Sequence, residues 1–194
     1  MQHSYTIWVK IEEQIFSKKK TPSFNPNDLH EITSFDTVQG FWEVYQHLRR
    51  PTAMPYGTTF NLFRHGIKPL WEDPSLQEGA RFMMNLPKTH TSKYWEDLVI
   101  AMLGEQLGEL NQVAGLVLIL KPHGDKIAVW ITNANDAESV EKLRKEIVNI
   151  LKIEEKDLVY QVFKEIEAKK PAKPFVKKES KDTEAAKKEI NTDW

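Results

Sequence analysis

Apolar and polar side chains alternate almost from the start of the chain: Tyr5, Ile7, Val9 and Ile11 interleave with Thr6, Trp8 and Lys10. A period of two belongs to a strand with one buried face. The stretch from Lys18 to Asn27, with its prolines, asparagines and three consecutive lysines, reads as a loop, and a short strand over Leu29–Phe35 follows it. The period then lengthens. Asp36 or Thr37 is placed to cap a helix whose apolar stripe is Val38, Phe41, Trp42, Tyr45 and Leu48. Thr58–Arg64 and Arg81–Leu86 read as strands on either side of a loop punctuated by Gly66, Pro69 and Pro74.

Thr91 or Ser92 opens a second helix with Trp95, Leu98, Val99, Met102 and Leu103 on one stripe. A hairpin comes next: Val113–Lys121, a turn at Pro122-His123-Gly124-Asp125, and Lys126–Thr132. A third helix over Asp136–Leu151 carries Val140, Leu143, Ile147, Ile150 and Leu151, and a strand over Leu158–Phe163 ends the pattern. Strands dominate and are joined by hairpin-like links, which predicts an α+β fold with an antiparallel sheet. From Ala168 the chain turns to Lys, Glu, Ala and Pro with little to bury and reads as a disordered tail. The expected division is a folded domain over 1–167 and a charged tail over 168–194.

Composition narrows the classes. Of the 194 residues, 40% are hydrophobic, enough for a full core. Cysteine is absent, which removes disulfides, thiolate zinc sites and a cysteine nucleophile together and suits a reducing compartment. Met1-Gln2-His3-Ser4 lacks the charged-then-apolar pattern of a signal, and no apolar run reaches the roughly 18 residues that span a bilayer. The expectation is a soluble protein of the cytoplasm, or of cytoplasm and nucleus, with no membrane contact and a monomer outside its complexes. The net charge of −1 divides unevenly: 168–194 carries eight Lys and five acidic residues, while the preceding part has 19 basic and 23 acidic groups. A general nucleic-acid binder has a basic fold, so any nucleic-acid contact here must be small and local.

Lys68-Pro69-Leu70-Trp71-Glu72-Asp73-Pro74 places a Trp and two carboxylates in a proline-bounded loop, outside any periodic apolar pattern. Such a Trp offers a flat π face to a base, worth roughly 1–3 kcal/mol, with a cation–π gain where the base carries positive charge, as a methylated guanine does. Glu72 supplies the paired acceptors that guanine N1–H and N2–H₂ need. The plainer alternative stays open on spacing alone: Trp71 plugs the end of the core and Glu72 sits in water. The hairpin adds a second feature. With His123-Gly124 as a two-residue loop, Lys121 pairs with Lys126 and Val117 with Trp130, and Lys121, Lys126, Ala128 and Trp130 share one face. Opposed lysines repel unless an anion lies between them, and a phosphate chain fits. Two lysines splayed into solvent remain the alternative, and a one-residue slip would undo the pairing.

These residues resemble the eukaryotic translation initiation factor 4E family. The matching segments are Tyr5-Thr6-Ile7-Trp8, Phe35-Asp36-Thr37-Val38 running into Phe41-Trp42, and Leu62-Phe63 leading through Gly66-Ile67-Lys68-Pro69 to Trp71-Glu72-Asp73. Gly79 with Arg81, Trp95 through Leu103-Gly104-Glu105, and Gly124 through Trp130 continue them in family order across about residues 4–163. The resemblance implies a curved antiparallel sheet cupped over a messenger-RNA cap and backed by three α-helices. It implies that Trp71 is one slice of an aromatic sandwich and Glu72 the base-reading carboxylate, with Trp130 near the N7-methyl group. Arg81, Lys121 and Lys126 match phosphate-contacting positions, and His123 stands where many members have a lysine, a weaker and pH-dependent contact.

The sequence departs from the family at the other slice. No Trp occurs in the 18–27 loop, so Phe24, its only aromatic residue, takes that role. Tyr5 also replaces a Trp. Both changes, with Trp95-Glu96-Asp97-Leu98 and Ala101 through Gln106, resemble the second class, which includes the animal 4E homologous protein and the plant novel cap-binding protein. Phe is a poorer cation–π partner than Trp, so a weaker cap affinity is expected.

On the opposite face, Trp42 sits beside Val38 at the edge of its stripe, and Ile100 departs from its helix stripe while aligning with Leu103. By the resemblance, Val38, Trp42, Glu96, Asp97, Ile100 and Leu103 match the surface that grips a tyrosine-and-leucine helical motif of scaffold proteins and inhibitors. Packing between two backing helices is the other reading of Trp42. The six histidines, at 3, 30, 47, 65, 90 and 123, form no metal-ligand spacing, and no Gly-rich phosphate loop or nucleophile elbow occurs, so neither catalytic residues, a metal nor a cofactor are expected. A cap or nucleotide hydrolase, or a family scaffold that has lost cap binding, are the competing functions.

Overall fold

Seven strands form one antiparallel sheet in the order β2-β1-β3-β5-β6-β4-β7. They are β1 (Tyr5–Ile11), β2 (Leu29–Phe35), β3 (Thr58–Arg64), β4 (Ala80–Leu86), β5 (Val113–Ile119), β6 (Asp125–Ile131) and β7 (Val159–Val162). The four α-helices are α1 (Val38–Tyr45), α2 (Thr91–Leu103), α3 (Ala137–Leu151) and α4 (Phe163–Ala168). The computed structural model describes residues 1–11, 28–109 and 111–168. Phe24 and the tail beyond Ala168 lie outside the described residues.

Helix starts follow capping chemistry. The Thr37 hydroxyl accepts from the Gly40 amide at 3.0 Å, and the Asp136 carboxylate accepts from Ser139 at the head of α3. The core lies between one sheet face and α1–α3: Ile7, Phe60, Leu62, Phe82, Leu116, Leu118, Ile127 and Val129 point toward Phe41, Trp95, Leu98, Leu143 and Ile147. Trp95 meets Phe60 edge-on at 5.2 Å between ring centroids. The backed, curved α+β sheet expected from the sequence is the fold observed.

Register lays the other, concave face out in three rows. The first runs Thr6, Phe63, Gly115, Trp130, Arg81, Gln161. The second runs Trp8, Asn61, Val117, Ala128, Met83, and the third Lys10, Thr59, Ile119, Lys126, Asn85.

Two expectations are corrected. Lys126 pairs with Ile119, not with Lys121. A slip of two leaves every side chain on its expected face. It places Lys121 in a longer turn, because the Leu120 amide leaves the hairpin to donate to Thr58 O and the Lys121 amide donates to the Asp125 carboxylate. The C-terminal strand also stops at Val162. Phe163 opens α4 instead, its amide donating to Gly79 O at 3.1 Å and its ring turning back under the first row.

Candidate functional site

The concave face holds its own small hydrophobic cluster, and that cluster sets the floor of the site. Phe63, Leu76, Val117, Ala128, Trp130 and Phe163 pack together on the side away from α1–α3. Trp130 meets Phe63 at 5.6 Å and 78° and Phe163 at 4.7 Å and 53°. Gly115 makes the first contact possible: a Cβ there would stand 2.4 Å from the Phe63 ring. The Trp130 indole N–H has no acceptor among the described residues.

Over this floor opens a cleft of about 480 Å³. Trp71 and Glu72 come to it from the loop between β3 and β4, Arg81 and Trp130 from the first row, Lys10 from the third, and Lys121 from the β5–β6 turn. The sequence alone placed five of these six in the site. Lys126 stands on the third row beside the lining residue Ile119, and His123 is an exposed turn residue that does not line the cleft. The exposed Glu72 carboxylate enters no hydrogen bond or ion pair among the described residues, so its acceptor pair is available to a ligand.

Asp73, read from the sequence only as a second carboxylate, fixes the loop. One of its oxygens accepts from the Lys68 amide at 3.0 Å and the other from the Ser75 amide at 2.9 Å, and its own amide donates to Leu70 O at 3.0 Å. Three bonds from one residue thus bracket Trp71 and Glu72 on both sides and hold the pair at the rim.

Arg81 is held rather than loose. Its Nε and Nη2 both donate to Gln161 Oε1, at 3.0 and 2.8 Å, and burial draws its pKa below the ordinary guanidinium value. Arg81 also lines the cleft, and a guanidinium has donors beyond the two that Gln161 takes, which suit a phosphate.

The β5–β6 turn depends on Asp125, which hydropathy marks only as a turn residue. It is buried, and its carboxylate accepts from Lys88 Nζ at 2.5 Å, the Thr91 hydroxyl at 2.6 Å and the Lys121 amide at 2.9 Å. One buried charge therefore ties the turn carrying Lys121 to the start of α2. Its signal in the sequence was the Gly-Asp pair at the turn, but spacing cannot reveal that the acid folds inward.

On the convex face, Val38, Trp42 and Ile100 are 51%, 48% and 56% exposed. Trp42 stands edge-on to Phe41 and Tyr45, so packing orients a ring that stays half open to solvent. Trp42 and Ile100, with Glu96, edge a groove of about 410 Å³ that Tyr45 and Val99 also line, and Val38 is not part of its lining. Asp97 pairs with Lys93 one turn earlier at 2.5 Å. Leu103 does not join the surface: it is 7% exposed and belongs to the core.

Among the described residues no three His, Asp or Glu side chains gather to hold a metal ion, and no helix is long and apolar enough to cross a membrane.

Residues 1–179 match the family model described as eukaryotic initiation factor 4E. The rice (Oryza sativa subsp. japonica) eukaryotic translation initiation factor NCBP is 39% identical over 134 residues, covering 69% of this chain and 59% of that protein. Drosophila melanogaster eukaryotic translation initiation factor 4E1 is 31% identical over 140 residues, covering 70% and 54%. The chain thus spans little more than half the length of these curated relatives. Among solved structures, C. elegans eIF4E-3 in complex with the 4E-binding protein Mextli and a cap analogue has a TM-score of 0.76 at 27% identity, covering 87% of this chain and 95% of that one. Ascaris suum eIF4E-3 with the m2,2,7G cap gives 0.73 at 26%, covering 84% and 89%.

Proposed function

The chain belongs to the eukaryotic initiation factor 4E family, and from that premise we propose that its concave cleft binds the 7-methylguanosine cap of messenger RNA. The observation that carries this reading is the joint placement of Trp71 and Glu72 at the rim of a cleft whose other walls bring Arg81 and Lys121. A cationic base stacks on the Trp71 face while Glu72 takes its N1–H and N2–H₂ protons, and the carboxylate also balances the charge on the base. Trp130 on the floor meets the methyl group, and the cations take the phosphates. Phe24 supplies the second aromatic face in this reading, as the loop's only aromatic. The protein binds the cap and leaves it chemically unchanged, and it acts in translation in the cytoplasm.

The solved relative whose complex includes the 4E-binding protein Mextli supports a second surface. The convex groove beside Trp42 and Ile100 fits the apolar side of a partner helix, with Glu96 in its wall placed for a basic residue on it.

Retention on a 7-methyl-GTP resin tests the reading. The protein is expected to stay bound through a GTP wash and to elute with free 7-methyl-GTP. Passage through the resin, or elution by GTP at the same concentration, would reduce it to a scaffold of the family. Trp42→Ala is expected to abolish capture of a tyrosine-and-leucine helical peptide while the variant still elutes from the resin as the unsubstituted protein does.

A further inference from the structure

Arg49 and Arg50 line the convex groove just past the end of α1, together with Glu96 of α2. Both arginines are exposed, and neither guanidinium enters an ion pair or hydrogen bond among the described residues. The backbone that carries them is fixed all the same. Pro51 is buried and opens a short 3-10 turn, and the Arg50 carbonyl accepts from the Ala53 amide at 2.8 Å. Beyond the effect of burial, the Tyr45 phenol feels the Glu96 carboxylate, which raises its pKa, and the Arg50 guanidinium, which lowers it. Charges of both signs therefore stand around the same apolar lining of Trp42, Val99 and Ile100.

The signs are not balanced. The lining carries two guanidinium groups against one carboxylate. In the docking reading, on which this inference rests, a basic residue of the partner helix answers Glu96. A helix whose only charges were basic would bring like charge to Arg49 and Arg50 while docking removes water from around them. An acidic side chain reverses the sign. It also matches the geometry, because a planar guanidinium offers two parallel donors to the two oxygens of a carboxylate. With the turn already fixed, pairing has to order only the side chains.

We propose that the occupant of the convex groove is an amphipathic helix of mixed charge. Its apolar stripe packs on Trp42 and Ile100, a basic residue faces Glu96, and an acidic residue pairs with Arg49 or Arg50. The two signs come from different elements, the end of α1 and the wall of α2, so they set the direction in which the helix lies and reject helices charged the other way.

Four synthetic peptides test this on the full chain by fluorescence anisotropy. All share one apolar tyrosine-and-leucine stripe and a lysine for Glu96. Two carry a pair of glutamates, at the N-terminal or the C-terminal flank, and two carry glutamines at the same places. At low salt a glutamate peptide is expected to bind about tenfold more tightly than its glutamine counterpart in one of the two placements. Arg49→Gln combined with Arg50→Gln is expected to erase that difference with the melting temperature unmoved. Arg49→Glu combined with Arg50→Glu is expected to invert it, so that a peptide with lysines at that flank binds best. Glutamate and glutamine peptides bound equally in both placements, or a preference that persists in the doubly Arg→Gln protein, would overturn the proposal. Failure of the docking reading shows separately, as no binding of any peptide or as binding that Trp42→Ala leaves intact, and the proposal falls with it.

Discussion

Glu72 and Asp73 are adjacent carboxylates with opposite employment. Asp73 spends its oxygens on the Lys68 and Ser75 amides, whereas Glu72 has none of its capacity used among the described residues. Replacing Glu72 by Gln keeps the shape but turns one acceptor into a donor and removes the charge facing the base. A lost charged hydrogen bond is worth about 2 kcal/mol, so cap affinity is expected to fall at least tenfold in a fluorescence titration, with the melting temperature unmoved. Replacing Asp73 acts through the loop instead and is expected to lower both. Tyr45 carries a pH consequence of its own. Burial, aided by the nearby Glu96 carboxylate, pushes its phenol up to about 12. The folded state therefore holds that proton more tightly than the unfolded chain, whose phenol titrates near 10. Stability is full below about pH 10 and is lost as the pH climbs toward 12. Alkaline melts of Tyr45→Phe should show a shallower decline over that window, and a decline as steep as that of the unsubstituted protein would contradict the assignment.

At the scale of elements, the hairpin of β5 and β6 shows what periodicity can and cannot reveal. Alternation assigned Lys121, Lys126, Ala128 and Trp130 to one face, and they share it, because face depends only on parity. Register depends on the turn, and here a five-residue link replaces the two-residue one. The cause is Asp125, which draws the Lys121 amide inward while Lys88 and Thr91 hold its other side. A burial pattern cannot distinguish an acid that caps a turn from one that faces solvent, so the sequence left this anchor invisible. Asp125→Ala should cost about 2–3 kcal/mol, since three donors lose their acceptor and one of them, the Thr91 hydroxyl, is fully buried. It should also weaken triphosphate binding by freeing Lys121, as urea unfolding and cap titration would measure. Helix α4 escaped notice for a related reason. Six residues are too few for a period of 3.6 to declare itself, and Phe163 looked equally at home ending a strand. Its role emerges only against Trp130.

For the molecule as a whole, the sheet separates two surfaces. The side covered by α1–α3 carries the core and, beyond it, the groove at Trp42, while the concave side carries the three rows of the cleft, with α4 packed at the end of the first. The aromatic and acidic residues of the cleft were legible in the sequence because they interrupt the periodic pattern: Trp71 and Glu72 lie where no apolar period calls for them, although Trp71 also packs against the small cluster of the concave face. Lys10 was illegible for the opposite reason, since it falls on the polar beat of an ordinary strand and only the fold brings that beat over a cleft. Leu103 likewise follows its helix stripe into the core, leaving Ile100 as the exposed member of the pair. The central claim is that the cleft recognises a base by its positive charge as well as by its edge. Titrating intrinsic tryptophan fluorescence of the full chain with 7-methyl-GTP and with GTP isolates that charge, because the two ligands share every phosphate. A desolvated cation–π contact of about 2 kcal/mol corresponds to roughly a 30-fold preference. The account predicts at least that preference for 7-methyl-GTP, with stronger quenching, and equal affinities for the two nucleotides would contradict it.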